Sequence, residues 1–159
     1  MIVRPIDQIN REKINAFIVH QWYSLQMVIQ GEQIDLDTAD GFYVCNDDNG
    51  DVIGLITYRL IDNKMEILSL DSLEERKGIG TALIQAAIEH ALHIGIEYIM
   101  LITTNDNLSA LRFYQKRGFD LVWIHRNTLD QARTIKPEIP LIGKDGIPIK
   151  YEIELRMEL

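Results

Sequence analysis

A turn carrying two glycines, wedged between a strand-like run and a helix-like run, leaves this sequence few ways to fold. The segment is Leu68-Ser69-Leu70-Asp71-Ser72-Leu73-Glu74-Glu75-Arg76-Lys77-Gly78-Ile79-Gly80-Thr81-Ala82-Leu83. Ahead of it, residues 66–70 have strand character. Behind it, Ile79, Leu83, Ala86, Ala87, Ala91 and Leu92 recur at helical spacing up to Gly95, predicting a helix over 80–93. A strand entering a helix this way presents backbone N–H groups at the positive end of the helix dipole. Glycine lets a diphosphate reach that main chain without a Cβ in the way. The glycines alone are explained equally well by a simple turn into a helix. Two nucleotide motifs fail outright: a dinucleotide fingerprint needs glycine where Leu83 stands, and a phosphate loop needs Gly-Lys-Ser/Thr where Gly80 is followed by Thr81.

The rest of the chain supplies an α/β frame. Residues 2–4 read as a strand stopped by Pro5, and 10–30 as a helix with room for a break, followed by an acidic connection over 32–40. Residues 41–45 and 52–60 are β-rich and joined through Asn49-Gly50; with 66–70 they predict an antiparallel meander. Beyond the central helix come a buried strand (98–103), a helix (107–117) closed by Gly118, and a strand (119–124). A last strand, 151–157, alternates Tyr151, Ile153, Leu155 and Met157 with Glu152, Glu154 and Arg156, which predicts the charged set outward. Between these strands, Pro137, Pro140 and Pro148 leave room for a short helix and a turn at Lys144-Asp145-Gly146.

At 159 residues, 47% of them apolar, one domain over 1–159 is expected. The single cysteine, Cys45, excludes an internal disulfide framework, and no stretch approaches the ~18 apolar residues of a membrane span. A cytoplasmic protein without a membrane partner is the expectation. A net charge of −8 argues against nucleic acid, whose binding depends on lysine and arginine. His90 and His93 lack an evident third ligand, so no metal is predicted.

Two stretches together resemble the GNAT superfamily of N-acetyltransferases. Leu68-x-Leu70-Asp71 followed by Gly78-Ile79-Gly80-Thr81-x-Leu83 is similar to its acetyl-coenzyme A signature. Asn107-x-x-Ala110-x-x-x-Tyr114-x-Lys116-x-Gly118-Phe119 is similar to its second one. The resemblance implies the acyl-CoA N-acyltransferase fold, a mostly antiparallel twisted central sheet flanked by helices, with acetyl-CoA as acetyl donor. It implies cofactor contacts from Leu68, Leu70, Arg76, Lys77, Gly78, Ile79, Gly80, Thr81, Asn107 and Tyr114, those of Leu68 and Leu70 through the main chain. Tyr114 is expected near the sulfur as proton donor; packing in the core is its plain alternative. Asn107 is expected to bond the cofactor arm or to cap its helix.

Glu66 is the first candidate for the general base, against a salt bridge to Arg59, and Asp71 is the second, against a turn-forming role. Glu75 stands where the family commonly has glutamine or arginine; it is expected to face away while Arg76 or Lys77 supplies positive charge. Trp22, Tyr23, Glu32, Asp35, Asp37 and Asp40 fall where such folds place acceptor-binding elements. The activity implied is direct attack of a primary amine, small or peptidic, on acetyl-CoA in a ternary complex. The alternative is a catalytically weak acyl-CoA-binding sensor or interaction module. A homodimer is compatible with the proline-punctuated segment 126–150.

Overall fold

The computed structural model describes residues 1–159. In chain order the elements are β1 (Val3–Pro5), α1 (Arg11–Trp22), β2 (Gln26–Ile29), β3 (Glu32–Asp35), β4 (Asp40–Cys45), β5 (Val52–Ile61) and β6 (Lys64–Ser72). They continue with α2 (Ile79–His93), β7 (Tyr98–Thr104), α3 (Leu108–Gln115), β8 (Asp120–His125), α4 (Thr128–Ile135) and β9 (Glu152–Glu158). The class is α/β, with a mostly antiparallel sheet and four α-helices. The chain forms two compact units, one of Met1–Leu25, Asp35–Ile99 and Leu159, the other of Gln26–Ile34 and Met100–Glu158.

In the first unit β1, β4, β5 and β6 lie side by side and antiparallel. The expected meander is there, and its turns follow the predicted chemistry. Gly50 takes a positive φ of 73° in the loop that Asn46 and Asp51 close at 2.8 Å. The apolar stripe of α2 buries Ile79, Leu83, Ile84, Ala87 and Ala91, and the helix lies over β4, β5 and β6. Its approach depends on Gly54 of β5, where a Cβ would stand 2.3 Å from Cγ2 of Ile79. Half-buried His90 packs against the rings of Phe42 and Tyr58, both at 5.8 Å.

The expectation of a helix over 10–30 fails in its second half. Tyr23 takes a left-handed conformation, φ 62°, and ends α1. Met27, Val28 and Ile29 then belong to β2, paired with β3 through a turn in which Gln30 and Gly31 both have positive φ, 51° and 75°. That is the two-residue geometry hairpins prefer, and it replaces the expected acidic connection with a strand.

In the second unit β9 lies between β7 and β8, antiparallel to β8. The short helix and turn expected within 126–150 are α4 and a 3-10 turn at Lys144–Gly146. Side chains pin this proline-rich stretch. Arg133 donates to the carbonyls of Pro140 and Ile149, both at 2.9 Å, and buried Asp106 accepts from the Lys144 N–H at 3.0 Å. Glu152, expected outward on β9, is instead buried at 4% exposure, one carboxylate oxygen accepting from the Gln30 N–H. The β2–β3 hairpin thus gives an alternating charge a polar partner inside.

Candidate active site

The site is built on the end of β6. Thr57 of β5 pairs with Ser69 and the next residue, Tyr58, pairs with Ile67, so Leu68 is an extra residue with no partner opposite. Such a bulge leaves one peptide outside the ladder and re-aims the main chain. Buried hydroxyls of Thr57 and Ser69, 2.6 Å apart, lie beside it and fasten the two strands. The sequence singled out Leu68 and Leu70 for their main chain, and the structure gives Leu68 an irregular one.

After β6 the chain turns through residues 73–78 into α2. Arg76 and Gly78 have positive φ, 62° and 76°, the second a conformation glycine takes without strain. The main-chain N–H groups of Gly78, Ile79 and Gly80 make no hydrogen bond within the chain, and they open the helix at its positive end. A Cβ at Gly78 would meet nothing within 4 Å, so the space in front of this peptide is open. Lys77 is paired with Glu74 at 2.8 Å, whereas Arg76 is exposed and has no acidic partner. Arg76 is therefore the cation available to an anion here. Glu75 is exposed and unpaired beside it. A cavity of about 300 Å³ next to the turn is lined by Glu74, Lys77, Ile79, Asp47 and Asp48 among others; its acidic wall would repel a diphosphate.

The two candidate bases differ sharply. Glu66 is buried, and its Oε2 accepts from Nε of Arg59 at 2.6 Å. Asp71 accepts from the indole N–H of Trp22 at 2.9 Å on Oδ2 and has no other partner. Burial raises the Asp71 carboxyl above the usual range, and the Trp22 hydrogen bond offsets part of that rise. A carboxylate with one oxygen held, one unclaimed and no cation beside it is poised to take a proton. Trp22 and Asp71 were separate candidates in the sequence; their contact spans 49 positions and left no local signal. Tyr23, in the left-handed conformation beside Trp22, is 90% exposed. Glu32, Asp35, Asp37 and Asp40 are exposed as well.

In the second unit Asn107 caps α3: its Oδ1 accepts from the Ala110 N–H at 3.4 Å and its Nδ2 donates to Thr103 at 3.2 Å. Tyr114 is 6% exposed, held edge-on between Phe113 and Phe119 with ring centroids at 5.2 and 5.3 Å. Gly118, φ 93°, turns the chain so that the Phe119 N–H reaches the Tyr114 carbonyl at 3.1 Å. No group of three His, Cys, Asp or Glu side chains has the arrangement of a metal site. No helix is long and apolar enough to cross a membrane.

The model of the acetyltransferase (GNAT) family matches residues 7–119, a stretch that contains both the glycine turn and α3. The chain belongs to the GNAT family. Among its relatives in sequence, YxbD of Bacillus subtilis (strain 168), an uncharacterized protein, is 46% identical over 100% of this chain and 99% of its own. The fold is shared with solved GNAT structures. An IAA acetyltransferase from Bacillus cereus ATCC 14579 superposes with a TM-score of 0.73 at 24% identity, covering 99% of both chains. A GNAT family acetyltransferase from Elizabethkingia anophelis with acetyl-CoA bound gives a TM-score of 0.68 at 21% identity, covering 99% of this chain and 97% of that one.

Proposed function

We propose that this GNAT protein transfers the acetyl group of acetyl-CoA to a primary amine by direct attack in a ternary complex. The observation that carries the reading is the turn itself: three main-chain N–H groups without a partner in the chain at a helix start, an uncommitted Arg76, and a bulged strand leading in. The acetyl-CoA held by the GNAT neighbour from Elizabethkingia anophelis supports acetyl-CoA as the donor.

In this proposal the diphosphate lies on the N–H groups of Gly78, Ile79 and Gly80 with Arg76 as its counter-charge. The main chain at Leu68 and Leu70 receives the pantetheine arm and thioester. The amine nitrogen attacks the thioester carbon and its surplus proton passes to the unclaimed oxygen of Asp71, which we prefer to ion-paired Glu66 as the base. Collapse of the tetrahedral oxyanion breaks the C–S bond, and the departing thiolate takes the proton of the Tyr114 phenol. Solvent exchange returns both groups to their starting states. Asn107, spent as a helix cap, is left with a positioning role.

Thiol release from acetyl-CoA across a panel of primary amines tests the reading, alongside calorimetric binding of coenzyme A. Turnover with at least one amine supports it. Tight coenzyme A binding with no thiol release on any amine would assign the protein to the sensor reading, which the unpaired Glu75 beside the turn favours.

A further inference from the structure

The bulge at Leu68 lies where the apolar pattern does not set the register. Met65, Ile67 and Leu68 are all buried, so both faces of β6 are covered there, and a slip of one residue would exchange one buried apolar side chain for another. Something else has to decide which part of β6 carries the extra residue. Three of the chain's five buried polar or charged residues, Thr57, Glu66 and Ser69, surround it at 0%, 3% and 5% exposure. They make one cross-strand contact on each side of the bulge. Towards the end of β6, Thr57 is opposite Ser69 and their hydroxyls meet at 2.6 Å. Towards its start, Arg59 is opposite Glu66, and Nε of Arg59 donates to Oε2 at 2.6 Å. Between the two contacts β5 has one residue, Tyr58, and β6 has two, Ile67 and Leu68.

Moving the bulge along β6 breaks one contact or the other. With the extra residue at Ser69, Thr57 would face Leu68, and the two buried hydroxyls would lose each other. With the extra residue at Glu66, Arg59 would face Ile67, and a buried carboxylate would lose its cation. Either loss is of the costly kind, because a buried polar group that gives up its partner receives no water in exchange. The two contacts therefore confine the irregularity to the Ile67-Leu68 step.

We propose that the Thr57–Ser69 and Arg59–Glu66 contacts are positioning pairs that lock the bulge at Ile67-Leu68, and that acetyl transfer depends on them because they place the main chain that receives the thioester. The dependence rests on the acetyl-transfer reading; the lock does not. A strand advances about 3.3 Å per residue, whereas a catalytic group has to stand within about 0.5 Å of its productive place, so a bulge one residue away presents its peptide in the wrong spot. Glu66 then acts through the main chain rather than by taking a proton.

The amide resonances of Ile67, Leu68 and Ser69 in the isotope-labelled full chain test the lock, and steady-state thiol release tests the dependence. Wild type is expected to give a single resonance for each. Thr57→Val, of the same shape without the hydroxyl, is expected to double or broaden all three and to lower kcat at least tenfold, with the dissociation constant of coenzyme A within a factor of two. Thr57→Ser, which keeps the hydroxyl, is expected to restore both. Arg59→Met with Glu66→Met replaces the ion pair by apolar side chains without leaving a charge unpaired, and is expected to double or broaden the same resonances. Single, sharp resonances in either Thr57→Val or the double variant overturn the lock. Doubled resonances with wild-type kcat overturn the dependence of acetyl transfer on it. A wild type that releases no thiol with any amine defeats the acetyl-transfer reading instead, and the resonances still decide the lock.

Discussion

The two segments that carry the family signatures work in opposite ways. From β6 to the first turn of α2 the chain offers its main chain: a bulged peptide at Leu68 and N–H groups at Gly78, Ile79 and Gly80. In α3 the chain offers side chains: Asn107 caps the helix and Tyr114 is wedged between two aromatic rings. Between these styles stands Asp71, a side chain at the end of the main-chain segment, held by an indole from α1. Peptide groups bind a charged tail without changing protonation state, whereas moving a proton requires a titratable side chain. In the proposed mechanism, damage to the first segment appears in affinity and damage to Tyr114 or Asp71 in rate.

The largest effect is expected at Asp71. Asp71→Asn should lower kcat by roughly 10²–10⁴, the usual worth of a positioned acid or base, with little change in coenzyme A affinity. Steady-state kinetics and calorimetry on one preparation check it, and unchanged kcat would return the base role to Glu66 or to water. The same variant should melt higher at pH 7. Because the native carboxyl is raised by burial, the folded state holds its proton to higher pH than the unfolded state does. Stability therefore falls as pH rises through that window, and the ionised carboxylate remains a penalty above it. The gain in Tm on Asp71→Asn should vanish in acid, where the proton is bound in both states.

Tyr114→Phe should reduce kcat by about 10²-fold while leaving the dissociation constant of coenzyme A within a factor of two, since the ring packing is kept. A larger loss of affinity than of rate would show that the phenol binds rather than protonates. Gly78→Ala should do the reverse. A methyl group meets nothing in the protein there but is strained at positive φ and would stand where the proposal puts the diphosphate, so binding should weaken about tenfold with kcat preserved at saturation.

Trp22→Phe is the smallest and sharpens the comparison most. The indole hydrogen bond lowers the Asp71 pKa, so its loss should move the acidic limb of the kcat/KM profile to higher pH and leave coenzyme A binding alone. A limb that stays put or moves down would detach Asp71 from the rate.

Much of the frame was legible because it is written locally. The glycine turn, the stripe of α2 and the closing glycine of α3 each declare themselves within a few residues. The misread parts depend on distant partners. Met27-Val28-Ile29 fits a helical period, and only the left-handed Tyr23 and the Gln30-Gly31 turn turn it into a strand. Glu152 alternates like a surface residue but is buried where it meets the β2–β3 turn. The bulge at Leu68 is a property of two strands, invisible in either alone. The turn and Tyr114 could be picked out by local spacing, whereas the Trp22–Asp71 hydrogen bond joins residues 49 positions apart.

The empty place at Gly54 has a practical reach. Because a single methyl there would collide with Ile79, that position acts as the seat on which the mouth of α2 rests. An engineer wishing to retune the grip on a nucleotide tail need not edit the loop; swapping Gly54 for alanine or serine would tilt the whole anchorage from beneath, trading thermal robustness for a new setting of the helix.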